Sequence, residues 1–331
     1  MKGEKMKRSV VVLMVIVFAA LILFPALLSA ADPYPMKPVT VIVPMAAGGS
    51  SDLLARTVEK FWIKYAKQPM VVVNKPGGGG VVGTEGVVRS KPDGYTLYLG
   101  YGSGHDVVMP SLQKMPYDPL KDLIPISRIS IHSVVIVTGA NAPFHSIKDV
   151  IAWSRKEGKP VTTAVSVKAG AVDIALTAFG KATGIKIVTV PFSGGAESTS
   201  ALAGGHLMIG GGHPSEIIPH IKAGRFKPLA LVLPQRDPTL PNVPTLKEQG
   251  IDVAIWGSIK GLAAPAGTPK EIIRTIDGII KKICSDPEFL KTMANLNQPV
   301  LYQGSEEFGK FIRQATDDYA KLIKQLNISI D

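Results

Sequence analysis

Val41-Ile42-Val43-Pro44-Met45-Ala46-Ala47-Gly48-Gly49-Ser50-Ser51-Asp52 reads as a β-branched apolar strand, a loop of small residues and the opening of a helix. Downstream, Leu54, Val58, Phe61 and Tyr65 recur at the spacing of one helical face, and Met70 to Asn74 then forms a second short apolar run. Thr96 to Gly100 makes a third strand. Strands alternating with helix-period segments predict an α/β protein with parallel strands and crossover helices. A further series predicts a second sheet, with strands near Val134 to Thr138, Val161 to Val165, Ile187 to Val190, His206 to Gly210 and Leu229 to Leu233. Phe308, Phe311, Ile312, Ala315, Tyr319, Leu322, Ile323 and Leu326 form a long apolar stripe, so the chain closes with an amphipathic helix that docks on a folded body.

The opening loop favours an anion. The first N–H groups of a helix lack intrahelical partners and sit at the positive end of its dipole, so a carboxylate or phosphate over Gly48 to Ser51 gains charge-assisted hydrogen bonds. An ordinary βα turn, with Ser50 or Ser51 as N-cap and the glycines serving only turn geometry, explains the same residues equally well. Two later loops repeat the arrangement: Ser166-Val167-Lys168-Ala169-Gly170-Ala171 and Pro191-Phe192-Ser193-Gly194-Gly195-Ala196 each stand between a strand and a helix. Convergent N–H donors from both sheets suit one acidic ligand.

Gly78, Gly80 and Gly83 satisfy a formal G-x-G-x-x-G, yet the following strand ends at Leu99, Gly100 and Tyr101 without the acid a dinucleotide ribose requires. The sequence holds no G-x-S-x-G, P-loop, H-E-x-x-H or C-x-x-C. His206, His213 and His220 recur every seven residues, but the reading places them on a strand, a loop and a helix, with no partner ligand at metal spacing. Cys284 is the sole cysteine, which excludes an intrachain disulfide and reads as a small buried helical side chain.

Residues 1–31 stand apart. Lys2, Lys5, Lys7 and Arg8 precede an uninterrupted apolar run from Val10 to Leu28, and Ser29-Ala30-Ala31 offers a signal-peptidase exit, with cleavage expected after Ala31 or Ala30. An uncleaved anchor is the alternative, since such a run just spans a bilayer; Pro25 and the small-residue exit favour cleavage. The formal charge of +11 stays positive after removal, at 33 basic against 25 acidic residues. An exported basic chain without Lys/Arg runs interleaved with aromatics points to acidic small molecules and away from nucleic acid.

A series of motifs along the mature chain resembles the solute receptors of tripartite tricarboxylate transporters, the Bug receptors. It includes Tyr34-Pro35-Met36-Lys37-Pro38, Pro44 to Asp52, Asn74 to Gly80, Pro92-Asp93-Gly94-Tyr95-Thr96-Leu97, and Tyr117-Asp118-Pro119 with Asp122. It continues with Val190-Pro191-Phe192 and Gly194-Gly195, Gly204-Gly205-His206, Leu240 to Thr245 with Glu248 and Gly250, and Ala264-Pro265-Ala266-Gly267-Thr268-Pro269. Met45 replaces a phenylalanine usual in the family, and Val167-Lys168-Ala169-Gly170 with Asp173 replaces its usual Gly-x-Gly-Ser and histidine.

The resemblance implies an α/β, two-lobed periplasmic binding protein type II fold, with a cleft between two α/β domains joined by crossing strands. Expected boundaries are 1–31 for the signal peptide, 32–132 plus 255–331 for lobe 1, and 133–254 for lobe 2. The implied activity is non-enzymatic and needs no cofactor or metal: a periplasmic monomer captures a small organic carboxylate and delivers it to the large and small permease subunits. An exported enzyme acting on a small acid, or a sensor for a signalling protein, are the alternatives. The candidate ligand-binding residues are Met45, Ala46, Ala47, Gly48, Gly49, Ser50, Ser51, Ser103, Ser166, Lys168, Ala169, Gly170, Phe192, Gly194 and His213. Lys168 is the candidate for a second carboxylate, and His213 sits where the family keeps a polar pocket residue.

Overall fold

In the computed structural model, which describes residues 34–329 apart from Pro234 and Ala254, together with Gly3 and Met14, the strands pair into two five-stranded sheets. The expected signal peptide and its cleavage site, residues 1–31, lie outside the described residues except for those two positions. Both sheets belong to one compact unit, Lys37–Asp331. No helix among the described residues is long and apolar enough to cross a membrane.

The first sheet contains β1 (Val39–Val43), β2 (Met70–Asn74), β3 (Thr96–Tyr101), β4 (Leu123–His132) and β10 (Ser258–Pro265). The second contains β5 (Val135–Gly139), β6 (Val161–Val165), β7 (Ile187–Pro191), β8 (Ile209–Gly212) and β9 (Phe226–Leu231). Their orders are β2-β1-β3-β10-β4 and β7-β6-β8-β5-β9. In each sheet the fourth strand runs antiparallel to both neighbours: β10 against β3 and β4, β5 against β8 and β9. The two sheets therefore repeat one plan, and in each the antiparallel strand is the one that has just arrived from the other sheet. The chain crosses between His132 and Val135 and returns through 232–257 into β10.

The helices are α1 (Ser50–Ala66), α2 (Val81–Val88), α3 (Gly104–Val107), α4 (Ile147–Glu157), α5 (Ala171–Thr183), α6 (Gly195–Ala203), α7 (Pro214–Lys222), α8 (Lys270–Cys284), α9 (Pro287–Asn295) and α10 (Ser305–Gln325). On α1 the buried seam is Leu54, Ala55, Val58, Trp62 and Ala66. Phe61 and Tyr65, expected on that seam, turn instead toward α9. Phe61 meets Phe289 edge-on at 5.4 Å, and the Tyr65 hydroxyl donates to Asp286 Oδ2 at 2.6 Å. Asp286 also caps α9 and accepts from Lys64 Nζ, bonds that hold its carboxyl well below the usual carboxylate range. Cys284 is buried on α8.

Two strand readings shift: the run expected at His206 to Gly210 pairs at Ile209–Gly212, and Leu229 to Leu233 at Phe226–Leu231. His206 consequently lies exposed in the turn before β8 and not on a strand. Strands β4 and β10 were not anticipated from periodicity. The first carries Pro125 and Arg128 within its run, and the second is largely small residues, so both depend on pairing with each other.

The C-terminal helix α10 lies on the first sheet, burying Phe308, Ile312, Ala315 and Tyr319. Phe308 stands edge-on to Tyr101 at 5.7 Å, directly over Gly261. A Cβ at Gly261 falls well inside contact with the Phe308 ring and 2.9 Å from the Tyr101 carbonyl oxygen, so a glycine here is a packing requirement. Gly261→Ala is expected to lower stability by about 1–3 kcal/mol, read as a lower denaturant midpoint at unchanged slope. Adding Phe308→Leu to that variant should recover part of the loss.

Candidate functional site

Loops following β1, β3, β6 and β7 meet in one cleft between the sheets, and they share a local construction. Each following helix begins at a residue whose side chain makes no capping bond: Gly49, Ser103, Gly170 and Gly194. Three residues on, an acid reaches backward to the loop. Asp52 Oδ2 accepts from Gly48 N–H (2.9 Å), Asp106 Oδ2 from Gly102 (3.0 Å), Asp173 Oδ2 from Ala169 (2.7 Å) and Glu197 Oε2 from Ser193 (2.9 Å). The carboxylates thus brace the loops while no N-cap side chain covers the first-turn N–H groups. Gly48, at φ 84°, permits the first of these turns, whereas Ala169 holds φ 55° despite its Cβ.

Ten of the sequence candidates stand on the cleft wall. Met45, Ala46, Gly49, Ser50, Ser51 and Ser103 come from the first sheet's loops, and Ser166, Gly170, Gly194 and His213 from the second's. The remaining five stand off it. Ala47 and Gly48 are exposed beside the loop, Lys168 is half-buried with its carbonyl oxygen facing Gly79, Ala169 is buried behind Gly170, and Phe192 packs beneath the second sheet. The N-cap of α1 is Gly49, not Ser50 or Ser51, which become the first helical residues.

Periodicity does not mark Lys260, Glu216, Ser258 or Gly104, and Gly195 stands in the 191–196 loop without being among the candidates. Ser258 lines the cleft, and Lys260, two residues along β10, shares its face. Lys260 is 3% exposed and its ammonium donates to Ser51 Oγ at 2.8 Å, with no ion pair among the described residues. Burial pushes its pKa down to about 8, and the charge of Glu216 opposes that shift. His213 is the N-cap of α7; its Nδ1–H donates to the Ser133 carbonyl at 3.1 Å, and its ring meets His132 edge-on at 5.4 Å. Both imidazoles are held neutral, foremost by burial. Neither ring nitrogen of His132 meets a partner among the described residues.

Glu216 spans the cleft. Its Oε2 accepts from the His213 N–H at 3.0 Å, an ordinary capping-box bond, while Oε1 accepts from Ser50 N–H at 2.8 Å on the opposite wall. A Cβ at Gly195 falls inside contact with the Glu216 carboxylate, so glycine opens that seat. The walls also touch where Ala46 N–H donates to Ser193 O at 3.4 Å, and where a Cβ at Gly104 collides with the Ala169 carbonyl. The space left between them is about 50 Å³.

Behind the Gly102–Ser103 loop lies a buried chain: Tyr98 O–H donates to Asp106 Oδ2 at 2.7 Å, and His105 Nε2–H to the Tyr98 oxygen at 2.6 Å. Burial holds His105 near 3 and raises Asp106 to about 7. The glycine motif serves this packing. Gly80 admits the His105 ring, with a Cβ 2.6 Å from it, and Gly83 lies against Lys75 O and Pro44, leaving neither glycine open to a pyrophosphate.

Because the folded chain releases the Lys260 proton near pH 8 while the unfolded chain keeps it to about 10.5, the buried ammonium opposes folding below pH 8, and the opposition disappears as pH rises through that window. Lys260→Met should therefore stabilise the fold by about 1–3 kcal/mol at pH 7. The gain over wild type should fade between pH 8 and 10.5 in thermal melts.

Comparison with known proteins bears on this geometry. Residues 54–328 match the family model described as the tripartite tricarboxylate transporter family receptor. BugT of Bordetella pertussis is 28% identical over 296 residues, covering 89% of this chain and 91% of BugT. The solved structure of the periplasmic binding protein BugD matches at TM-score 0.83 and 29% identity, over 89% of this chain and 99% of that one. MatC from Rhodopseudomonas palustris, solved with bound malate, shares the fold at TM-score 0.81 and 23% identity, over 88% of this chain and 100% of its own. With the repeated sheets, the crossing strands and this agreement together, the chain belongs to the tripartite tricarboxylate transporter receptor family and has the two-lobed fold of its periplasmic binding proteins.

Proposed function

We propose that the protein is a non-enzymatic periplasmic receptor that closes two lobes on a small organic carboxylate and presents it to the large and small permease subunits. The observation that carries this reading is the Ser50 N–H at the start of α1, which already takes a carboxylate oxygen at 2.8 Å. An uncapped N-terminus is a ready anion site, and three further helices bring theirs to the same cleft. The malate held by MatC is a carboxylate of the class such donors accept.

Lobe 1 comprises 32–132 plus 255–331 and lobe 2 comprises 133–254, so the two crossings at 132–134 and 254–255 form the hinge. Closure shifts the population toward a state the permease recognises. Residues 1–31 direct export, and the receptor works as a monomer. The Tyr98–His105–Asp106 chain, the nearest approach to a catalytic constellation, is buried behind its loop, with His105 and Asp106 2% and 1% exposed, and supports a bracing role.

Calorimetric titration of the ligand-stripped receptor with mono-, di- and tricarboxylates, aromatic acids, amino acids and neutral analogues tests the reading. One carboxylate class should bind at one per chain, and Gly49→Val should abolish it. Gly104→Ala, whose Cβ meets the Ala169 carbonyl only when the lobes close, should weaken binding by at least about tenfold with little change in melting temperature. A folded protein that gives heat with no carboxylate, or turns one over, refutes the proposal.

A further inference from the structure

Glu216 does more than its place in the sequence requires. As the third residue of α7 behind a histidine N-cap, a glutamate needs one oxygen to complete the capping box, and Oε2 does this on the His213 N–H. The second oxygen crosses the cleft to Ser50 N–H, 166 residues away. The carboxylate therefore bridges the positive ends of two helices, one from each wall. Its surroundings suit an anion: Ser50 and Ser51 from α1, the Lys260 ammonium from β10 whose charge attracts it, the His213 ring and backbone from its own side, and glycine at 195 on α6 to make room. Lys260, the charged group whose attraction reaches it, has the opposite sign.

These are the features that the proposed function assigns to the solute's carboxylate. One N–H at 2.8 Å cannot serve two carboxylates, and like charges at hydrogen-bond separation repel strongly in a partly desolvated cleft. The solute and Glu216 exclude each other at Ser50. The lobes meet with about 50 Å³ between them while the Glu216 bridge is made.

We propose that Glu216 is an internal stand-in for the solute: its carboxylate occupies the anion seat of α1 and draws the lobes together, and the solute binds by displacing it from the Ser50 N–H. This rests on the carboxylate-receptor reading. After exchange Glu216 keeps its bond to His213 and releases only the far wall. Apparent affinity is then the intrinsic affinity reduced by the fraction of receptors in which Glu216 holds the seat. Affinity and resting closure are set together by one side chain.

Glu216→Gln keeps the shape and an acceptor for the α7 cap while removing the charge that competes. Glu216→Asp keeps the charge but shortens the reach to Ser50. Both variants and wild type, checked for a native near-ultraviolet dichroism spectrum, are titrated with malate and with the other acids of the panel above. Small-angle scattering measures each one ligand-stripped. Both variants should bind the carboxylate about tenfold tighter and should show a larger radius of gyration than wild type without solute. Unchanged or weaker binding in Glu216→Gln overturns the proposal, as does a ligand-stripped wild type as open as that variant. An aspartate variant matching wild type also overturns it, because general charge repulsion then accounts for the effect. If no carboxylate binds any of the three, the receptor reading falls, and the scattering comparison alone decides whether Glu216 closes the lobes.

Discussion

The placement of β10 between β3 and β4 is the constraint on which the rest of the molecule depends. All eight of its residues are buried, and it runs antiparallel to both neighbours because the chain re-enters the first sheet from the second. A parallel strand would need a crossover helix of its own; this one brings its connection from the other lobe. Its small residues let α10 press Phe308 against Gly261, so the C-terminal helix seals the sheet over the returning strand. Its leading end puts Ser258 on the cleft wall and Lys260 behind it, bonded to Ser51. The return from the second sheet, the seat of the C-terminal helix and the buried ammonium beside Ser51 thus belong to one strand.

The cleft owes its chemistry to what the helix starts lack. Glycine or an unbonded serine at the N-cap leaves main-chain donors uncovered, and the acid that would ordinarily cap them is turned backward to brace the loop. Main-chain donors recognise an anionic group without reading the rest of the molecule, which lets one scaffold take different acids. Side-chain polarity on and just behind the cleft wall is left to a few groups: Ser51 with Lys260, His213 with His132, and Glu216. Each is polar and substantially enclosed, where an unpaired group is costly, so their arrangement rewards a solute that satisfies them and penalises one that does not.

The runs at 70–74 and 161–165 form strands at the residues where periodicity placed them, and the run through Val41-Ile42-Val43 does so from Val39, because short segments rich in Val, Ile and Thr and bounded by turn residues have little alternative. The reading slipped where composition is ambiguous. The Ile209–Gly212 strand is mostly glycine, and its edges follow its neighbours more than its side chains. Phe61 and Tyr65 have the spacing of a core face, yet Trp62 occupies the core, because α9 offers the aromatic pair a second surface. Lys168, which the family resemblance brought forward, is not on the cleft wall, whereas Lys260, inside a small-residue run with no helical or strand signature, reaches its edge through Ser51.

The sequence by itself determined the local units: strand, glycine-bearing loop and helix start, repeated in both halves, with an apolar run before them and an amphipathic helix to end. Each of these rests on hydrogen bonds and side-chain periods spanning a few residues, such as Gly48 to Asp52 or Ala169 to Asp173, and such patterns are written in order along the chain. Family motifs carried the two-lobed plan further than those patterns do alone. Only the tertiary structure decided which helix starts face one another, that Glu216 meets Ser50 across 166 residues and that Lys260 meets Ser51 across 209. Those meetings depend on the antiparallel register of two crossing strands and on the contact of whole lobes, sums of many weak long-range terms that no short window of sequence contains.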